Sequence, residues 1–133
     1  MARVLLDTSA YSALLRGHAG AKRAVQEAEE IFVNAVILGE LLAGFARGKR
    51  RAMNERELRS FLDSPRVGVL PLDADSAERY AAILAALWRA GKPIPTNDLW
   101  IAATAMQHGL RILTADAHFR NIVHVLVDLL ETP

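Results

Sequence analysis

At 133 residues the chain is long enough for one domain, spanning residues 1–133, and short for two of ordinary size. A 52% hydrophobic and 23% charged composition excludes a disordered chain, and the absence of Cys excludes a disulfide framework, a thiolate zinc site and a cysteine nucleophile. Sixteen Lys and Arg against 15 Asp and Glu give a net charge of +1, which by itself names no partner.

Arg3 to Leu6 is a short apolar run of strand formers, closed by Asp7-Thr8-Ser9. Thr8 or Ser9 is placed to cap a helix to about Arg16, stopped by Gly17. A second short helix is expected over 21–30, then a strand at Ile31 to Asn34. Val36 onward reads as helix to about Ala46. A basic stretch follows: Arg47, Lys49, Arg50, Arg51, Arg56 and Arg59 against Glu55 and Glu57, six bases to two acids. It leads into a helix over 54–62, ended by Pro65, and Val67 to Leu70 is a third strand. Asp75-Ser76-Ala77-Glu78 has the form of a capping box for a helix to about Ala90, closed by Gly91 and Pro93. Thr96 or Asn97 is placed to cap the next helix, which ends at His108-Gly109. Arg111 to Thr114 is a fourth strand, a short turn or helix follows Asp116, and a fifth strand is expected over 124–127.

Strands alternate with single or paired helices throughout. The expected class is α/β, with a mainly parallel sheet of about five strands flanked by helices. No apolar run approaches the length needed to cross a bilayer, the longest being Ala81 to Trp88, and Asp7 interrupts what would be the core of a secretion leader. The chain therefore reads as soluble and cytoplasmic.

Four carboxylates sit inside apolar runs: Asp7 after Val4-Leu5-Leu6, Glu40 within Val36 to Leu42, Asp98 before Leu99 to Ala103, and Asp116 after Ile112 to Ala115. An ionised carboxylate in such surroundings needs a base, a set of N–H donors or a metal. In a doubly wound sheet, sites form outside the carboxyl ends of the strands, where the connecting helices also begin. Asp7 and Asp116 follow strands, while Asp98 and Glu40 lie in early helical turns, so all four can face one crevice. No Lys or Arg lies within these motifs. Several carboxylates a few Å apart cannot all ionise without a cation, and an oxygen-only set selects Mg²⁺, with Mn²⁺ as a substitute. Such a site suits water attack on a phosphodiester, and the basic run would hold the phosphate backbone.

Each acid also has an ordinary structural reading. Asp7 and Asp98 fit as N-caps or first-turn acids, Asp116 as a turn acid, and the basic run as a solvated helix face. Glu40 resists such a reading because of its apolar flanks. Asp73 and Asp75 also lie near a strand end, with the capping box to explain Asp75. Asp128 is a further acid in an apolar run. Other chemistries find little support: His18, His108, His118 and His124 form no zincin pair, residues 17–22 are not a P-loop, and there is no Gly-x-Ser-x-Gly.

Asn97-Asp98-Leu99-Trp100-Ile101-Ala102-Ala103, followed by Leu113-Thr114-Ala115-Asp116-Ala117-His118-Phe119, resembles the paired motifs of PIN-domain ribonucleases of the VapC toxin type. Gly39-Glu40-Leu41-Leu42-Ala43-Gly44 and Asp7-Thr8 extend the likeness over essentially the whole chain. The resemblance implies a PIN-like three-layer fold and an acidic metal site made of Asp7, Glu40, Asp98 and Asp116. It further implies supporting roles for Thr8, Asn97 and Thr114, a homodimer, and inhibition by a small cognate antitoxin. Arg16, Arg47, Lys49, Arg50 and Arg51 are the expected RNA contacts. The leading expectation is a metal-dependent endoribonuclease acting as the toxin of a toxin–antitoxin pair. Its competitors are a non-catalytic RNA-binding or protein-interaction module on the same fold, and a phosphatase with Asp7 as nucleophile.

Overall fold

A computed structural model of the chain describes residues 2–131. Five strands, β1 (Arg3–Leu6), β2 (Glu30–Asn34), β3 (Val67–Leu70), β4 (Arg111–Thr114) and β5 (Val127–Leu129), form one sheet in the order β3-β2-β1-β4-β5. Every pairing is parallel. The helices are α1 (Thr8–Leu15), α2 (Ala19–Glu27), α3 (Ala35–Arg47), α4 (Arg51–Leu62), α5 (Ala74–Ala90) and α6 (Thr96–His108), with a 3₁₀ helix at Ala117–Asn121.

Parallel strands covered on both faces read as near-continuous apolar runs, and the burial follows that rule. Val4 to Leu6 and Ile112 to Thr114 are buried in the central strands, whereas no residue of β3 or β5, at the edges, is fully buried. α6 is the most enclosed helix, with Leu99 and Ile101 through Ala105 all buried. It packs on α5, where the rings of Tyr80 and Trp100 lie 4.3 Å apart. Gly91 and Gly109 end α5 and α6 in the left-handed conformation (φ +65° in both), which only glycine adopts without a Cβ clash.

Several expected boundaries move, each for a local reason. Asp7, not Thr8 or Ser9, caps α1, because its carboxylate reaches the Ala10 N–H at 2.9 Å. The capping box of α5 is Asp73 with Ser76, two residues earlier than Asp75 with Glu78, and Gln107 also donates to Asp73. α6 starts after Pro95 with no side-chain cap from Thr96 or Asn97. α2 runs from Ala19 to Glu27 instead of 21–30; His18 Nδ1 accepts from the Ala21 N–H and sets its start. α4 begins at Arg51 rather than Asn54, so part of the basic stretch is helical, in keeping with the helix propensity of Arg, Ala and Met.

The fifth strand lies at Val127–Leu129, not 124–127. There Asp128, opposite Leu113 in the register, receives both a 2.8 Å and a 2.6 Å hydrogen bond from Arg111. That pair holds the Asp128 carboxyl below its ordinary range and removes it from the set of uncompensated acids.

Candidate active site

The chain builds the sheet outward from β1 to β2 and β3, then returns to add β4 and β5 on the other side. The order reverses between β1 and β4, and a crevice opens outside the carboxyl ends of strands at such a point. Asp7 follows β1 directly and Asp116 comes two residues after β4.

Asp7 is buried, 3% exposed, and its carboxylate is fully engaged. Oδ1 accepts from the Ala10 N–H (2.9 Å) and Ser9 Oγ (2.8 Å), and Oδ2 accepts from Thr114 Oγ1 (2.6 Å) and Ser9 Oγ (3.0 Å). Burial raises its pKa, these donors pull it back, and the Asp116 carboxylate raises it further. Thr114, itself fully buried, accepts from the Asp116 N–H at 2.9 Å while donating to Asp7, so one hydroxyl links the ends of β1 and β4. Thr114→Val keeps the shape and deletes that link. It is expected to cost about 1–3 kcal/mol, the range for leaving buried polar partners unpaired. A urea melt within experimental error of the parent's would contradict the assignment.

Glu40 is half-buried on α3. Asn34, fully buried, caps that helix: its Oδ1 accepts from the Ile37 N–H at 2.9 Å and its Nδ2 donates to Thr104 Oγ1 of α6 at 2.9 Å. The start of α3 is thereby tied to the middle of α6. The apolar flanks of Glu40 are not all core, for Gly39, Leu42 and Ala43 are exposed. Thr8 Oγ1 donates to Glu40 Oε1 at 2.6 Å and Asn97 Nδ2 to Oε2 at 3.2 Å. Each of Thr8, Asn97 and Thr114 thus hydrogen-bonds a carboxylate of the set.

Asp98, half-buried in the first turn of α6, is pushed up to about 6. Burial is the largest cause, followed by the carboxylates of Asp116, Glu40 and Asp7, with partial relief from His118. The fold therefore brings Asp116, Glu40 and Asp7 within electrostatic reach of Asp98. Among the described residues no Lys or Arg forms a salt bridge with any of them. Among the described residues Asp116 pairs only with His118, whose Nδ1 lies 2.9 Å from Oδ1 and whose backbone N–H donates to the same atom.

Oxygen donors with uncompensated charge fit a hard divalent cation such as Mg²⁺ or Mn²⁺. Among the described residues no three Asp, Glu or His side chains are drawn together tightly enough to enclose an ion. Asp7, Glu40 and Asp116 are each held by hydrogen bonds from their own neighbours.

Two members of the site escape the sequence reading. Ser9 touches both oxygens of Asp7, lies 3.2 Å from Thr114 Oγ1 and accepts from the Ala115 N–H at 2.9 Å. His118 braces Asp116. The available signal was a polar residue two positions after Asp7 and after Asp116. Of the expected basic contacts, Arg16 lines the groove that contains Thr8 and Glu40. Arg47, Lys49, Arg50 and Arg51 are exposed and do not line it, and Arg51 faces Glu55 at 3.5 Å.

The family model for the PIN domain matches residues 4–125. The chain is 35% identical over 123 residues to the VapC ribonuclease Y4jK of Sinorhizobium fredii, covering 85% of this chain and 86% of that protein. It is 34% identical over 122 residues to toxin FitB of Neisseria gonorrhoeae, with 85% and 87% covered. Among solved structures it is similar to VapBC-5 of Mycobacterium tuberculosis, a member of the VapBC family of toxin–antitoxin systems. That likeness has a TM-score of 0.78 at 28% identity, over 98% of this chain and all of the other. No helix among the described residues is long and apolar enough to cross a membrane.

Proposed function

Because the chain belongs to the PIN-domain family, we propose that it is the ribonuclease toxin of a toxin–antitoxin pair and hydrolyses RNA phosphodiesters at the four-carboxylate crevice. The observation that supports this reading is that Asp98 feels the carboxylates of Asp116, Glu40 and Asp7 beside the β1–β4 switch point, with no Lys or Arg among the described residues in a salt bridge to any of the four. The relatives add that proteins of this size and fold are named as ribonucleases and as toxins with antitoxin partners. A cognate antitoxin and a second copy of the chain are the partners proposed.

Asp7, Glu40, Asp98 and Asp116 would hold the divalent ion, Mg²⁺ or Mn²⁺. When bound, such an ion lowers the pKa of water, orients it and offsets charge building up at the phosphate. The protein's own contribution is preorganisation. Ser9, Thr114 and the Ala10 N–H fix the plane of Asp7, Thr8 and Asn97 fix that of Glu40, and His118 fixes Asp116. Among the described residues Asp98 receives no side-chain hydrogen bond, which leaves its carboxylate free to change partner between a proton and a cation. The reaction adds water across the P–O bond: the water oxygen bonds to phosphorus, the bond to the leaving oxygen breaks, and that oxygen takes a proton.

The test is cleavage of total cellular RNA by the purified protein with Mg²⁺, with Mn²⁺ and with EDTA. Discrete products in both metal lanes and none with EDTA are expected; identical lanes would reject metal-dependent hydrolysis. Ion binding should also follow the protonation of Asp98. A group at about 6 is mostly protonated at pH 5 and ionised at pH 8, and a ligand must lose its proton to bind. Mn²⁺ affinity measured by calorimetry is therefore expected to be about tenfold weaker at pH 5 than at pH 8. A flat profile would remove Asp98 from the ligand set.

A further inference from the structure

Two grooves meet at Arg16. The first, of about 340 Å³, has Thr8, Ser12 and Arg16 on its α1 side and Glu40 and Gly44 on its α3 side. Thr8, Ser12 and Arg16 recur every four residues and so form one stripe along α1 and its C-terminal cap. The second groove, of about 840 Å³, begins at Arg16 and continues past Gly20 and Arg23 to Leu129 and Glu131. Arg16 lines both, so its side chain stands between the groove beside Glu40 and the groove at the start of α2. An eight-residue helix rises about 12 Å, roughly the length of three or four stacked nucleotides at about 3.4 Å each.

The charges along these grooves are free to act. Arg16 and Arg23 are exposed, and among the described residues neither has a carboxylate within salt-bridge distance. His18 is already occupied: Nδ1 accepts from the Ala21 N–H and Nε2 lies 2.7 Å from the Glu131 carbonyl oxygen. The two guanidiniums are thus the unengaged donors beyond the acids, and a guanidinium matches a phosphate through paired N–H donors.

We propose that these two grooves form one path for a single RNA strand leaving the acid crevice, with Arg16 and Arg23 each holding a backbone phosphate. This rests on the ribonuclease reading above and adds to it the direction of the strand. It also moves the backbone contacts away from the run Arg47 to Arg51.

The test is equilibrium binding of a short fluorescein-labelled single-stranded RNA of mixed sequence over a range of salt concentrations. An Asp98→Asn background with EDTA prevents cleavage. Each phosphate contact adds about 0.7 to the slope of log affinity against log salt for single strands. Arg16→Gln and Arg23→Gln are each expected to lower the slope by about 0.7 and the double variant by about 1.4, while Arg16→Lys retains it. Unchanged slopes in both Gln variants, with a loss in Arg47→Gln or Arg50→Gln instead, would overturn the path and leave the nuclease reading standing. A background protein with no salt-dependent RNA binding would overturn both.

Discussion

Asp98→Asn is expected to lower metal-dependent RNA cleavage by more than about a hundredfold while making the metal-free protein more stable. The activity loss follows from position. Asp98 is the acid that feels all three others, and even residues that only support metal ligands cost 10–100-fold when changed. The stability gain follows from linkage. The folded-state value of about 6 lies above the ordinary 3.8. Protonated Asp98 is therefore favoured by folding, and that contribution is complete below pH 4 and lost as the pH rises through 6. Above pH 6 the metal-free parent carries an ionised carboxylate that the fold disfavours, and Asn cannot ionise. The full shift corresponds to about 3 kcal/mol, which solvent screening at a half-exposed site reduces to about 1–2 kcal/mol. The variant should thus melt several degrees above the parent near pH 8 and together with it near pH 4. Added Mg²⁺ should reverse the order at pH 8, because the parent gains binding energy that the variant largely forgoes. A variant that melts below the metal-free parent at pH 8 would refute the crowded-acid account.

Phe119→Ala is expected to be the most damaging single truncation near the site. Phe119 is the largest fully buried side chain among the described residues and sits in the 3₁₀ helix that Asp116 caps. Removing its ring costs about 3–5 kcal/mol through lost burial and the cavity left behind. Against a total stability of about 5–15 kcal/mol for an ordinary domain, that is a large fraction, visible as a fall in Tm of roughly 10–20 °C. The loss should reach the chemistry as well, because the segment it anchors carries Asp116 and its partner His118. Metal affinity is therefore expected to fall below the temperature at which the variant unfolds. If cleavage and ion binding persist unchanged in a variant destabilised by this amount, the 3₁₀ helix does not position Asp116.

The elements that the sequence announces most clearly are those where one interaction dominates. β1, β3 and β4 stand where their apolar runs place them, and Gly91 and Gly109 end their helices as expected. Boundaries that depend on a partner distant in sequence were not legible. β5 is shifted by the pairing of Asp128 with Arg111, and Ser76 joins Asp73 at a cap also held by Gln107 from α6. At the site, the four acids were legible as charges without compensation in apolar surroundings. The hydroxyl of Ser9 and the amide of Asn34 were not. A small polar residue beside a helix start has many ordinary uses, and only the fold shows that Ser9 spans two strand ends and that Asn34 reaches Thr104. The basic run is conspicuous by charge alone: none of Arg47, Lys49, Arg50 and Arg51 lines the groove that holds Glu40, although Asn54 of α4 does.

The reversal of strand order between β1 and β4 has a bearing on synthesis. Asp7 is made well before Asp116, and the bond from Thr114 that joins their strands closes a separation of 107 residues. Until β4 slots in beside β1, half of the crevice does not exist, and pairings of such long range form late because loop closure must come first. A partly made chain that lacks β4 therefore carries an incomplete set of the four carboxylates to which RNA cleavage is attributed in the proposed function. The topology thereby defers assembly of the proposed site until β4 has joined β1.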